Sequence, residues 1–331
     1  METKRLDYHR DMEETIQTTV DYWKKGEVVA FPTETVYGLG ADATNAAAVS
    51  KIFRAKERPE DNPLIIHIAG KEQLHSLTDG YPAYVDQLIE SFSPGPITYV
   101  LKSSPRIAEN VRGGLRTVGI RIPSHPVAHK LLAASEIPIA APSANRSGKP
   151  SPTTAQHVLE DLTGKIPAVV DGGSANVGVE STVVDCTGEQ PVILRLGKIT
   201  KQDIEQIIPV AEIAEGQHID APKSPGVKYR HYMPEVPLIL ALRDEVETIR
   251  KHQLAGEKVG VLTMDAASDN LGDKVFLLGK SKEEIAAQLY RSLRDMRQTD
   301  VDVVIAIGLN KITAGEAVMD RLKKAASLIV E

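Results

Sequence analysis

Lys56-Glu57-Arg58-Pro59 sets two cations around one position, where a helical run gives way to a loop. Cations so placed can hold phosphate oxygens; they also suit the negative end of a helix dipole, which is the ordinary structural reading. Ser143-Ala144-Asn145, followed by Ser147, Gly148 and Ser151, offers hydroxyls, an amide and backbone donors. Such a segment can cradle phosphate without a helix, or it can be a plain Ser/Asn turn. Arg121 in Val118-Gly119-Ile120-Arg121-Ile122 and Arg195 in Ile193-Leu194-Arg195-Leu196 are charges inside apolar, strand-like runs. A charge there is costly unless it is paired, binds an anion, or lies on a sheet face open to water. Val179-Glu180-Ser181-Thr182, after Gly172-Gly173, reads either as a ligand contact or as a loop leading into a strand.

One further stretch lacks phosphate chemistry. The apolar run Val28–Phe31 ends in Pro32-Thr33-Glu34-Thr35-Val36-Tyr37-Gly38-Leu39-Gly40-Ala41-Asp42. Hydroxyls and glycines at a strand end are a common ligand position in α/β proteins. Gly38 and Gly40 are expected to let the backbone turn closely there. Other chemistries are poorly represented. There is no Walker A segment, and Gly38-Leu39-Gly40 stops short of a dinucleotide fingerprint. His67, His125 and His231 are scattered, with no transition-metal spacing, and Ser143 has no nucleophile-elbow context. Hydrolase and dehydrogenase readings are therefore weak.

The elements that must position these residues follow from periodicity. A helix is expected over 11–25, from Ile16, Val20 and Trp23, and another over 45–55, with Val49, Ile52 and Phe53 on its inner side. Strands are expected at 28–31, 63–68, 97–101, 118–122, 138–141, 168–171, 181–186 and 192–196, forming a mixed sheet. Regularity fails over 210–235, which holds Lys228-Tyr229-Arg230-His231-Tyr232. A stretch that long is a linker or a functional loop, and its composition favours a lid. Beyond it, strands and helices alternate from 237 to 326, with Ser281 and Glu284 as a capping box. The expected domains are 1–209, a linker or lid over 210–235, and a small α/β domain over 236–331.

The chain of 331 residues is long enough for two such domains. Its net charge is −6, and neither the part before Val236 nor the part after it has a basic excess, which argues against a general nucleic-acid binder. A single cysteine, Cys186, permits no internal disulfide and fits a reducing cytoplasm. The first ten residues are polar, without a signal-like apolar stretch, and no apolar run approaches a membrane span.

Taken together, segments 31–42, 56–64, 93–98, 142–145 and 178–182 resemble, in order and spacing, the YrdC-like domain of threonylcarbamoyl-AMP synthases. Segment 224–234 and the terminal α/β domain resemble the long form of that family. The resemblance implies an α/β fold: a YrdC-like twisted mixed sheet flanked by helices, followed by a small Rossmann-like domain. It implies condensation of L-threonine, bicarbonate or CO2, and ATP into threonylcarbamoyl-AMP, with release of pyrophosphate. A downstream tRNA threonylcarbamoyl-transferase complex would use that product. The resemblance implies catalytic roles for Lys56 and Arg58. It implies a threonine site at Thr35, His67, Arg121, Ala141 and Ser181. It implies an ATP site at Arg58, Asn62, Thr117, Ser143, Asn145, Ser151, Arg195, Tyr229 and His231. Mg2+ would arrive with ATP and need few or no protein ligands. No membrane association and no stable direct nucleic-acid binding is expected. Glu57 departs from a frequent glycine, and Val227 from a frequent methionine. The competing reading is a double-stranded RNA-binding module without nucleotide turnover; the acidic balance of both parts speaks against it. Substituting Lys56 or Arg58 by alanine is expected to abolish synthesis and leave the fold intact.

Overall fold

The structure is a computed structural model that describes residues 2–210, 212–213, 231–265 and 271–331. They fall into two compact units. One holds the described residues of 2–147, 152–176 and 180–213; the other holds 148–151, 177–179 and 231–331.

The first unit is built on a mixed sheet of eleven strands. They are β1 (Lys4–Asp7), β2 (Val29–Phe31), β3 (Gly38–Asp42), β4 (Ile65–His67), β5 (Ile97–Lys102), β6 (Thr117–Arg121), β7 (Ile139–Ala140), β8 (Ala168–Asp171), β9 (Thr182–Asp185), β10 (Val192–Arg195) and β11 (Glu212–Ile213). Their order is β1-β8-β2-β3-β7-β4-β6-β5-β9-β10-β11. Strand β6 runs parallel to β4 and antiparallel to β5, and β7 runs antiparallel to β4. Helix α1 (Met12–Lys24) is started by Asp11, whose side chain accepts from Glu14 N–H. Helix α2 (Ala46–Lys56) is capped by Asn45 and buries Val49, Ile52 and Phe53.

Alternation along the strands divides their side chains between two faces. Ile66, Ile120, Tyr99 and Val184 join the larger apolar core, with Ile52 and Phe53 of α2. Trp23, Val29, Phe31, Leu131, Ile139 and Val170 form a second core. Between these side chains, the other residues of β4, β5 and β6 alternate to the opposite face: Ile65 and His67, then Thr98, Val100 and Lys102, then Thr117, Gly119 and Arg121.

Three strands of this sheet escape the sequence pattern; one is Glu212–Ile213, paired parallel with β10 inside the 210–235 stretch where regularity was expected to fail. Gly38–Asp42 is a strand, paired antiparallel with β2 and with β7, rather than a turn. Its glycines serve close packing. A Cβ on Gly40 would lie 2.6 Å from Ile139 Cγ2 and 2.7 Å from Phe31 Cε1, and one on Gly38 would lie 3.3 Å from Ala141 Cβ. Strand β1, Lys-Arg-Leu-Asp, is an edge strand beside β8 with three exposed residues, so it carries no apolar alternation to detect.

The second unit carries a sheet of five parallel strands, in the order Lys274–Leu277, Val259–Thr263, Val303–Ala306, Leu238–Ala241, Leu328–Val330. This is a Rossmann-like α/β arrangement. Helix Lys282–Asp295 begins at the Ser281–Glu284 capping box and buries Ile285, Leu289 and Leu293. The last strand, Leu328–Val330, is a short edge strand that the sequence pattern does not reveal. Among the described residues, no helix is long and apolar enough to cross a membrane.

Candidate active site

Thr33 shapes the loop that follows β2. Its hydroxyl donates to Val36 O at 2.6 Å and accepts from the N–H groups of Thr35 and Val36 at 3.2 and 3.3 Å. This local closure replaces the strand ladder that Pro32 interrupts and presents Glu34 and Thr35 side by side. Arg121, at the end of β6, meets both. Its Nη1 donates to Thr35 Oγ1 at 2.9 Å, and its Nη2 donates to the Glu34 carboxylate and to Gly95 O at 3.4 Å. Arg121 and Glu34 are both buried, so the costly charge of the sequence reading is met by a partner.

His67 is the register partner of Arg121 on the neighbouring β4. Burial, reinforced by the nearby Arg121 charge, pushes its pKa down to about 3, so the ring is neutral. Its Nδ1 lies 3.2 Å from Ile65 O. The neutral tautomer with the proton on Nδ1 donates there and leaves Nε2 as an acceptor. Ala141 is buried alongside, its N–H donating to Ile65 O at 2.8 Å.

Ser181 and Arg195 extend the same face. Ser181 Oγ lies 2.7 Å from Thr98 Oγ1, and Arg195 reaches Ser181 through Nη2 to Oγ and Nε to the carbonyl, both at 3.0 Å. By simple alternation Arg195 would share the core-facing side of Ile193. A register shift lies between them: Ile193 pairs with Val184, but Arg195 pairs with Val183. This bulge turns the arginine to the other face. Gly119 keeps the middle of that face low, since a Cβ there would lie 3.1 Å from Thr98 Cγ2.

A second cluster joins the end of α2 to the turn after β7. Lys56 is buried, and its Nζ donates to Ser143 O at 2.5 Å and to Asn145 O. Ser147 N–H donates back to Lys56 O at 2.9 Å. Within the turn, Ser143 Oγ donates to Asn145 Oδ1 at 2.5 Å, and Asn145 Nδ2 to Arg146 O at 2.8 Å. Arg58 Nη2 donates to Asn62 O and Pro63 O, each at 3.2 Å, which folds the 58–63 loop onto itself. The buried Oδ1 of Asn62 has no hydrogen-bond partner among the described residues. Thr117 opens β6, half-buried, opposite Lys102 of β5.

Two residues outside the expected set shape these clusters. Glu34 is the buried counter-charge of Arg121; its signal was an acid between two threonines at a strand end. Glu57 stands between Lys56 and Arg58 in the left-handed conformation, φ 54°. Its carboxylate takes Lys165 Nζ at 2.7 Å and the Arg146 guanidinium at 2.9 and 2.6 Å, and these bonds hold its pKa below the usual carboxylate range. It thereby ties the Lys-x-Arg segment to the Ser-x-Asn segment. Its signal was an acid where a glycine is frequent.

The structure thus gathers Thr35, His67, Arg121, Ala141, Ser181 and Arg195 with Lys56, Arg58, Asn62, Thr117, Ser143 and Asn145 in the first unit. Ser151, which is buried, and His231 belong to the second unit, and Tyr229 lies outside the described residues.

Comparison with known proteins shows the family of the chain. The family described as "Telomere recombination" matches residues 21–197, and the threonylcarbamoyl-AMP synthase C-terminal domain matches residues 199–327. A threonylcarbamoyl-AMP synthase of Pyrococcus abyssi is 48% identical over 320 residues, covering 94% of this chain and 93% of the relative. Its counterpart in Bacillus subtilis is 46% identical over 312 residues, covering 92% and 90%. The crystal structure of P. abyssi Sua5 complexed with L-threonine superposes with a TM-score of 0.94 at 45% identity, over 99% of this chain and 100% of that one. With both domain families matched and nearly the full length shared, the chain belongs to the threonylcarbamoyl-AMP synthases, in their long form with the C-terminal domain.

Proposed function

We propose that this protein condenses L-threonine, bicarbonate or CO2, and ATP into L-threonylcarbamoyladenylate, releasing pyrophosphate. The observation that carries the reading is the single sheet face of the first unit that bears His67, Arg121, Thr98, Ser181 and Arg195. Beside apolar neighbours such as Ile65 and Val100, that face brings together two guanidinium groups, two hydroxyls and an imidazole. The Arg121 guanidinium, with Nε unpartnered among the described residues, suits the threonine carboxylate, and Thr35 and Ser181 suit its polar groups. Neutral His67 adds an acceptor without adding a charge.

The threonine ammonium would first give up a proton to solvent; the free amine would attack CO2 with loss of a second proton, or bicarbonate with loss of water, to give a carbamate, and a carbamate oxygen would then attack the α-phosphate while pyrophosphate departs. Both reactants of that second step are anions, so cations and fixed donors near the reacting oxygens lower the barrier. Arg58 and Arg195 fit that task, with Asn62, Thr117, Ser143, Asn145 and Ser151 as further ATP contacts. Lys56 fits a role of holding the Ser143–Asn145 turn in shape. Among the described residues, no three histidine, cysteine or carboxylate side chains gather as a metal site, and Glu34 is bonded to Arg121. That donor set fits Mg2+ carried on the phosphates of ATP, where it would neutralise charge. The product would serve threonylcarbamoylation of tRNA by a downstream complex, and the single buried cysteine suits a cytoplasmic setting.

The experiment is pyrophosphate release by the full chain. Release should require threonine and bicarbonate together; ATP turnover indifferent to threonine, or none at all, would refute the reading.

A further inference from the structure

We infer that Glu34 is a specificity-determining residue which makes the amino-acid pocket select a zwitterion. The inference rests on the proposed reading that Arg121 receives the substrate carboxylate. Glu34 and Arg121 side chains are only 7% and 4% exposed, and they are bonded to each other. Each keeps one polar atom in reserve: Glu34 Oε2 and Arg121 Nε are buried without a hydrogen-bond partner among the described residues. One is an acceptor carrying negative charge and the other a donor carrying positive charge. Beside them, Thr35 Oγ1 is already engaged by Arg121, and His67 is neutral.

A buried site tolerates little net charge. With Glu34 and Arg121 both present, this corner of the site is locally neutral. Threonine brings a carboxylate and an ammonium, which also sum to zero, so it can enter without burying a lone charge. Each of its ends then finds an opposite partner: the carboxylate at the Arg121 guanidinium, the ammonium at the Glu34 carboxylate. An analogue with only one of the two charges leaves one member of the pair facing an uncompensated group. Glu34 therefore discriminates at the binding step, before any bond is made, and holds the nitrogen that later becomes the nucleophile.

The test is calorimetric titration of the full chain with three ligands of nearly one shape: L-threonine, L-threoninamide, which lacks the negative charge, and 2,3-dihydroxybutanoate, which lacks the positive one. In the wild type, threonine should bind more tightly than either. In Glu34→Gln, threonine affinity should fall about 10- to 100-fold, the weight of one charge-assisted hydrogen bond, while 2,3-dihydroxybutanoate holds or gains. The ratio of the two affinities thus moves toward the anion, which a general loss of structure would not produce. If Glu34→Gln does not fold, Glu34→Gln/Arg121→Gln buries no lone charge, and it should lose the preference for threonine over both analogues. An unmoved ratio in a folded variant overturns the inference and leaves the proposed activity standing. A wild-type chain without affinity for threonine overturns both.

Discussion

Replacing Lys56 by methionine tests how the site is held together. Methionine keeps most of the lysine stem, so apolar packing at the end of α2 is preserved and the change isolates the ammonium group. That group is buried and donates to Ser143 O and Asn145 O. Its loss strands two carbonyls, each costing about 1–3 kcal/mol when left unpaired, so roughly 4 kcal/mol in all. For a domain near 200 residues, each kcal/mol lowers Tm by about 2–4 °C, which predicts a fall of about 8–16 °C. Thermal melting followed by circular dichroism reads this directly. Amide hydrogen exchange should localise the loosening to Ser143–Ser147, whose Ser147 N–H bonds back to Lys56 O. Pyrophosphate release should fall in parallel. The expectation drawn from sequence, that removing Lys56 leaves the fold intact, is thereby revised, because burial makes the lysine a structural clasp. A Tm within about 2 °C of wild type would refute the reasoning, since two stranded carbonyls cannot be that cheap.

Other perturbations separate stability from function. Glu57→Gly relieves a left-handed backbone but removes the bonds to Arg146 and Lys165; melting should hold or rise while the KM for ATP increases about two- to fivefold, and an unchanged KM would remove Glu57 from the site's support. His67 stays neutral when folded, with a pKa near 3 against 6.5 in an unfolded chain. Below pH 6.5 only the unfolded chain takes up this proton, so His67 costs stability as pH falls and nothing above that range. Between pH 7.5 and 5.5 the wild type should lose about 1.4 kcal/mol more than His67→Gln in urea titrations; equal losses would show that the ring is not held neutral. Gly40→Ala should destabilise by about 1–3 kcal/mol, through contact with Ile139 and Phe31. Wild-type melting of that variant would mean the strands part easily.

Much of the frame was legible because burial imposes period on sequence. Helix α2 ends within a residue of its expected limit, since Val49, Ile52 and Phe53 mark the inner face and Asn45 supplies the cap. The capping box at Ser281 and the alternation of strands and helices that follows it were readable for the same reason. Short edge strands were not: Lys4–Asp7 is mostly exposed, Leu328–Val330 is three residues long and only half-buried beyond Leu328, and neither is long enough to show alternation. Gly38–Asp42 was hidden differently, because glycine signals a turn locally, while here it makes room for Phe31 and Ile139 arriving from elsewhere in the chain.

By itself, the sequence determined which residue types could handle anions, and that Arg121 and Arg195 had to be compensated, since a charge in an apolar run has few affordable environments. The partners were a tertiary matter. Glu34 reaches Arg121 across 87 positions, and Ser181 meets Thr98 across 83. Arg195 faces Ser181, away from the larger core, because one extra residue bulges β10, which reverses the alternation that local sequence predicts. Lys56 turned inward onto Ser143 and Asn145 for the same kind of reason: a helix end looks solvated until another segment's carbonyls are folded against it.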